Sequence, residues 1–334
     1  MSNNAQKPLA LTLGDPAGIG PEIVAKALAH DAVLRDRVVV VGDPMALRDA
    51  LHRYAPAMSV IEVDLRKPLP EWHEQQIALH AVRSLSTLPK LGVVSAEAGA
   101  AANATIVEAA TLCLEGHTCG MATAPVSKLA LRAAGVSEPG HTEILARLSG
   151  LAATDRFAMM FASEHLRVVL ATIHLPLADA LKALTPELVL QKLQLTHAAG
   201  RWLGKPTPRI AVAGINPHAG ESGMLGSDET RVLVPAIVAA RAQGMNVTDP
   251  LPPDTVFMRA RTGEFDVVLA MYHDQGLIPV KLLGLDSAVN VTIGLPFLRS
   301  SVDHGTAFDI AGRGIASEAN LLHVLRWHLA AIDN

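Results

Sequence analysis

The stretch "DVVLAMYHDQGLIPVK" (266–281) changes character abruptly. An apolar run gives way at once to a histidine, an aspartate and a glycine, with a lysine eight residues after the histidine. Such a change predicts a strand running out of a sheet into a loop. A run apolar at nearly every position, not at every second one, belongs to a strand covered on both faces, as in parallel sheets flanked by helices. In open α/β sheets ligands collect at the carboxyl ends of the strands. One such ending is common, so the other strands decide what this one means.

Two more end the same way. "LRVVLATI" (166–173) is followed by His174, "RIAVAGI" (209–215) by His218, and "DVVLAMY" (266–272) by His273. If these ends lie on one side of the molecule, three imidazoles can converge. Three neutral nitrogens with an open position make a catalytic divalent-metal site. Taken singly, each is more simply a loop histidine bonded to backbone, and only the three in one context bring the metal reading level with that one. Most of the other histidines, among them His30, His52, His80 and His328, fall in helical or polar surface contexts and read as ordinary.

Further strand runs are "LALTLG" (9–14), "RVVVVG" (37–42), "SVIEVD" (59–64), "CGMATAP" (119–125), "RFAMMFA" (156–162) and "VNVTIG" (289–294). Helical patterns over 96–116, 185–203 and 227–244 separate several of them. The alternation predicts an α/β protein with largely parallel sheets. Its 334 residues suffice for two such domains, half of them are hydrophobic, and no long linker divides the chain. A net charge of −4 gives no reason to expect nucleic-acid or membrane partners. The start "MSNNAQKPLALTLGDP" lacks a signal-peptide pattern, and no apolar run approaches the roughly 20 residues of a membrane span. Cys113 and Cys119 match no metal pattern and suit reduced thiols, so a cytoplasmic location is expected.

Anion-binding residues form a second set. "PGHTEIL" (139–145) places His141 and Thr142 at the start of a helical pattern, where backbone N–H groups suit a phosphate or carboxylate. Read from Thr142, a capping box would need an acid or amide at 145, where Leu145 stands. Lys281, Asn290 and Arg299 surround "VNVTIG" as a plausible anion cradle, though a lone surface cation is usually just solvated. "GDPAGIGPE" (14–22) is not a GxGxxG fingerprint, and a tight strand-to-helix turn explains it equally well.

Together, "GDPAGIGPE", "GHTE", "TIHLPL", "INPHAGE", "MYHDQG", "VNVTIGLPF" and "SVDHGTAFDIAGRG", in that order along nearly the whole chain, resemble the 4-hydroxythreonine-4-phosphate dehydrogenase (PdxA-like) family. That family includes paralogues acting on 4-phospho-D-threonate and 4-phospho-D-erythronate. "HGTAFDIAG" (304–312) is also similar to the segment lining the NAD adenosine site of isopropylmalate dehydrogenases. The resemblance implies two α/β/α lobes around a cleft, in the isocitrate/isopropylmalate dehydrogenase-like fold. The lobes are expected over 1–126 plus 300–334 and over 127–299.

The same resemblance implies that His174, His218 and His273 hold one divalent metal (Zn, Co, Mn or Mg). It makes His141, Thr142, Lys281, Asn290 and Arg299 substrate contacts, and His304, Gly305, Ala307 and Asp309 contacts of NAD. It also implies a homodimer with the site at the subunit interface. The activity implied is oxidation of the 3-hydroxyl of a 4-phosphorylated four-carbon acid, then decarboxylation, with Lys281, Asp254 and Asp274 the candidate catalytic groups, though either aspartate could equally just cap a turn. Two rivals stand beside it: an aromatic cis-dihydrodiol dehydrogenase of the same family, and a metal-dependent aldolase or phosphoesterase without NAD. A sugar-phosphate sensor that has kept the fold is a third.

Overall fold

Strands β1 (Leu9–Thr12) and β2 (Val38–Gly42) are buried along their whole length, which requires cover on both faces. They belong to a computed structural model that describes residues 7–151, 156–284 and 288–334. The chain divides into two compact units, Met1–Ala152 with Leu295–Asp333, and Ala153–Gly294 with Asn334.

The first unit also holds β3 (Ser59–Val63), β4 (Gln76–Ala81), β5 (Met121–Thr123) and β12 (Arg299–Ser301). Their order is β3-β4-β2-β1-β5-β12, and every neighbouring pair is parallel. Ala10, Val39 and Val41 pack with Ile106, Ala109 and Leu112 of the helix Ala96–Leu114. The residues between them, Leu9, Leu11 and Val40, point the other way and are fully buried too. Gly99 lets a second helix, Lys128–Ala133, press on this one. A Cβ there would lie 2.0 Å from the Ala130 carbonyl oxygen.

That contact bears on where the chain crosses between units. Sequence alone put the crossings near residues 127 and 300. Leu131, Ile144, Leu145, Leu295 and Phe297 share the core of Ile106 and Leu112, so residues 127–151 and 295–299 pack with the first unit.

The second unit contains β6 (Ala158–Ala162), β7 (Arg167–Leu170), β8 (Ile210–Ala213), β9 (Val247–Leu251), β10 (Val267–Ala270) and β11 (Val289–Ile293). The order is β11-β6-β7-β10-β8-β9. The run β7-β10-β8-β9 is parallel, whereas β6 is antiparallel to both β7 and β11. Only residues 163–166 join β6 to β7, too few for the crossover a parallel pair needs. Val168, Leu170, Ala211, Ala213, Val268 and Ala270 face Leu277 and Val280 of the helix His273–Leu283. The helix Pro186–Ala199 packs against β7, β8 and β10 as well.

All nine strand runs read from the sequence form strands. Three more were missed: β4, which carries Gln76 and His80, β9, which carries Pro250, and β12, only three residues long. Two histidines taken as surface residues are buried. His328 is fully buried with Nδ1 2.7 Å from Ser300 Oγ, and burial pushes its pKa down to about 3. His80 accepts at Nδ1 from Leu65 N and meets Glu108 through Nε2. Both cysteines are free and buried, with thiols pushed up by burial to about 12 at Cys113 and about 11 at Cys119. No helix among the described residues is long and apolar enough to cross a membrane.

Candidate active site

The three histidine-bearing strands, β7, β10 and β8, are neighbours and parallel. Their carboxyl ends therefore open on one edge of the sheet, with about 4.8 Å between adjacent strands. His273 begins the helix that follows β10, whereas His174 and His218 stand on loops after β7 and β8.

His174 and His273 come together, with ring centroids 5.7 Å apart and planes tilted by 42°. Two imidazoles sharing one tetrahedral ion, each nitrogen about 2.0–2.1 Å from it, would bring their centroids to roughly 5 Å. The observed pair is close to that spacing. His273 Nδ1 lies 2.7 Å from Asp274 Oδ1. A carboxylate on one ring nitrogen fixes the tautomer and turns the other nitrogen into a ligand, so Asp274 suits the work of orienting His273. These residues fit a divalent ion in donor type and spacing. No group of three histidine, cysteine or acidic side chains able to hold an ion occurs among the described residues.

Backbone strain marks the other two histidines. His174 has φ +42° and His218 φ +51°, in the left-handed region that costs L-residues about 1–2 kcal/mol each. His218 opens a run of five such residues through Ser222, of which only Gly220 is a glycine. Strain of this kind persists where surrounding contacts over-determine it, and it collects at functional sites. A pocket of about 130 Å³ lies beside His273, lined among others by Thr172, Ile173, Leu175, Tyr272 and Asp274.

Lys281 is eight residues beyond His273 in the same helix, about 12 Å along its axis, and its side chain is exposed. Asn290, on β11, has a buried Oδ1 with no hydrogen-bond partner among the described residues. Asp254 is exposed on the turn closed by Thr255 N and the Pro252 carbonyl.

The first unit carries the other substrate candidates. Arg299 is 4% exposed and donates through Nη2 to Thr123 Oγ1 at 2.7 Å. Burial lowers its guanidinium pKa to about 10, against a smaller upward pull from Glu143. His141 is held well below its ordinary value by burial and then by Arg299, so its imidazole is neutral. Its Nε2 is buried without a hydrogen-bond partner among the described residues. His141 is also the first residue of the helix His141–Leu148, whose N-cap, Gly140, offers no side chain to the N–H groups of the first turn. The cap is thus one residue earlier than His141 and two before Thr142, where sequence reasoning had looked for it. A buried cation, an orphaned imidazole nitrogen and uncapped N–H groups are what an anion requires.

The segment 304–312 docks on the turn formed by "GDPAGIGPE". Ile19 N donates to the Thr306 carbonyl at 3.0 Å, and a Cβ on Gly18 would meet Thr306 Cβ at 2.9 Å. Close packing of two backbones explains that glycine. Ala307 has φ +41°, His304 Nδ1 lies 3.1 Å from the Gly305 carbonyl, and Asp309 is exposed. A Cβ on Gly305 would meet nothing within 4 Å, so the space beside that backbone is open.

Sequence reasoning missed Thr123, which holds Arg299, and the groups that tie the histidine loops together. Thr172 Oγ1 donates to the Met271 carbonyl at 2.8 Å, joining the ends of β7 and β10. Gln275 and Glu229 act on the β8 loop. Gln275 lies inside "MYHDQG", but nothing local says what a glutamine there would bond.

The model for "Pyridoxal phosphate biosynthetic protein PdxA" matches residues 35–327. A 4-hydroxythreonine-4-phosphate dehydrogenase of Beijerinckia indica subsp. indica is 50% identical over 314 residues, 94% of this chain and 92% of the relative. A D-threonate 4-phosphate dehydrogenase of Cupriavidus necator is 44% identical, covering 95% of each chain. The crystal structure of a 4-hydroxythreonine-4-phosphate dehydrogenase from Klebsiella pneumoniae superposes with a TM-score of 0.90 at 44% identity, over 97% of this chain and all of that one.

Proposed function

The chain belongs to the PdxA family of pyridoxal phosphate biosynthetic proteins, and we propose that it is a metal-dependent, NAD-linked member working in the cytoplasm as a homodimer. It is a dehydrogenase acting on CH–OH, and it oxidises a phosphorylated four-carbon hydroxy acid. The candidate substrates are 4-phosphohydroxy-L-threonine, 4-phospho-D-threonate and 4-phospho-D-erythronate. Neither the cis-dihydrodiol reading nor an aldolase or phosphoesterase is favoured, since the relatives matched at 50% and 44% identity are named for phosphorylated acids.

The observation that carries the metal reading is the pairing of His174 and His273 at 5.7 Å, on a sheet edge that also bears the His218 loop. These three histidines would hold the ion, with both subunits of the dimer contributing ligands, since the single chain brings together only His174 and His273. Exposed apolar side chains follow each histidine in the chain: Leu177 after His174, Met224 after His218, and Ile278 and Leu282 after His273. Exposed apolar side chains of this kind suit burial against a second copy.

When bound, a divalent ion would supply polarisation of the substrate hydroxyl and a lower pKa for it, and NAD would supply the hydride acceptor. Asp274 keeps His273 in the tautomer that presents Nε2. Arg299 and the neutral His141 bind the phosphate, with Thr142 and the first-turn N–H groups as further donors. Lys281 and Asn290 hold the rest of the substrate. Lys281 and Asp254 are the candidates to take the proton of the alcohol. Oxidation at C3 leaves a β-keto acid, which loses CO2. His304, Gly305, Ala307 and Asp309 line the adenosine end of NAD.

NADH formation by metal-loaded protein tests this reading. The three phosphorylated acids and an aromatic cis-dihydrodiol are offered in parallel, with and without chelator. Chelator-sensitive turnover of one phosphorylated acid is expected. Turnover of the dihydrodiol alone would overturn the substrate assignment, and turnover unaffected by complete metal removal would overturn the metal.

A further inference from the structure

Two polar side chains outside the predicted ligand set join the loops that carry the histidines. Gln275 receives a hydrogen bond from Met271 N at its Oε1, 2.7 Å, and donates Nε2 to the Gly214 carbonyl, also at 2.7 Å. Met271 directly follows β10 and Gly214 directly follows β8. One amide thus spans the carboxyl ends of two adjacent strands, two residues from His273 and four from His218. An amide suits both, because its oxygen accepts from one partner while its NH2 donates to the other.

Glu229 acts on the far side of the same loop. It is 5% exposed, and its Oε1 accepts from both Ile215 N (2.8 Å) and Asn216 N (2.7 Å), while Oε2 accepts from Asn216 Nδ2 at 3.0 Å. It stands at the start of a π-helical turn, Glu229–Leu233, a geometry that recurs at functional sites. Gly220 lies against it, since a Cβ there would come within 2.7 Å of Oε2. The left-handed run that begins at His218 is therefore held at its base by Glu229 and tied to the β10 end by Gln275.

We propose that Gln275 and Glu229 are positioning residues for the metal centre: by fixing the β8 and β10 loops relative to each other, they set the affinity and geometry with which His218 and His273 hold the ion. This rests on the metal reading above. Neither residue touches the ion, and both act through the backbone that carries its ligands. Replacing outer partners of metal ligands costs about 10- to 100-fold in affinity, and that is the scale expected here.

The test uses full-length protein stripped of metal and titrated with zinc against a chromophoric chelator, and with cobalt(II) followed by its visible absorption. Gln275→Glu is nearly isosteric and keeps the acceptor for Met271 N, but loses the donor to Gly214. Glu229→Gln keeps an acceptor for the backbone N–H groups, but sets a donor against Asn216 Nδ2. Each variant should bind zinc about tenfold or more weakly and shift the cobalt spectrum, with the metal-free melting temperature close to that of the parent. Unchanged affinity and spectrum in both variants would overturn the inference, including where the metal-free melting temperature falls, since the pair would then be scaffold only. If the parent protein itself binds no divalent ion, the metal reading fails, an outcome distinct from that one.

Discussion

Arg299→Met should make the ligand-free protein more stable and nearly inactive. Arg299 is 4% exposed and its pKa is drawn from 12.5 to about 10 by burial. Holding the guanidinium charged there costs about 3 kcal/mol. Methionine fills much of the same space and removes that cost. The bond to Thr123 Oγ1 is lost together with a further contact of the guanidinium, returning about 1 kcal/mol each. The balance is about 1 kcal/mol in favour of the variant, in line with buried charges replaced by apolar side chains. For a unit of this size that raises the melting temperature by about 2–4 °C. Towards a phosphorylated substrate the sign reverses. Truncating a desolvated charge that pairs with a ligand costs about 2–5 kcal/mol, or roughly 30- to 5,000-fold in kcat/KM. Thermal melts of the ligand-free protein and steady-state rates measure the two effects separately. A variant less stable than the parent, with kcat/KM within threefold, would refute the argument, since Arg299 would then be structural.

Other expectations are shorter to state. His328 titrates at about 3 when folded and at the ordinary 6.5 when unfolded, so the unfolded chain takes up a proton the folded one refuses. The contribution is intact above 6.5 and declines as the pH falls towards 3, reaching about 2 kcal/mol of lost stability at pH 5. Urea midpoints at pH 8 and 5 check this, and His328→Leu should shrink the difference. His218→Gly should abolish metal-dependent turnover yet keep or raise stability by about 1 kcal/mol, because glycine accepts φ +51° without strain. A loss of cooperative unfolding in that variant would count against it. Asp274→Asn should weaken metal binding about 10- to 100-fold by releasing His273, as read by metal titration. Leu282→Glu, on a side chain 81% exposed in the single chain, should convert a dimer to monomers in light scattering with the fold intact by circular dichroism.

Apolar runs and their endings carried much of the fold and of the site. β7, β8 and β10 could be read because each is apolar but for Arg167 at the start of β7, and the histidine past each was visible as a break in that pattern. The order β7-β10-β8 was not visible, because pairing depends on contacts between residues distant in the chain. Yet that order is what brings the three loops to one edge. The nature of Gly18 was likewise hidden: its glycine answers to Thr306, far along the chain.

By itself the sequence determined the α/β class, the family and the chemistry-bearing residue types, since these rest on local periodicity and on motifs read in order. Only the tertiary structure decided which residues act together. It paired His273 with His174, set Arg299 against Thr123 and beside His141, and left His218 in a left-handed turn held by Glu229. The physical reason is that a side chain's charge state, strain and partners are set by what is buried around it, and burial is a property of the packed chain.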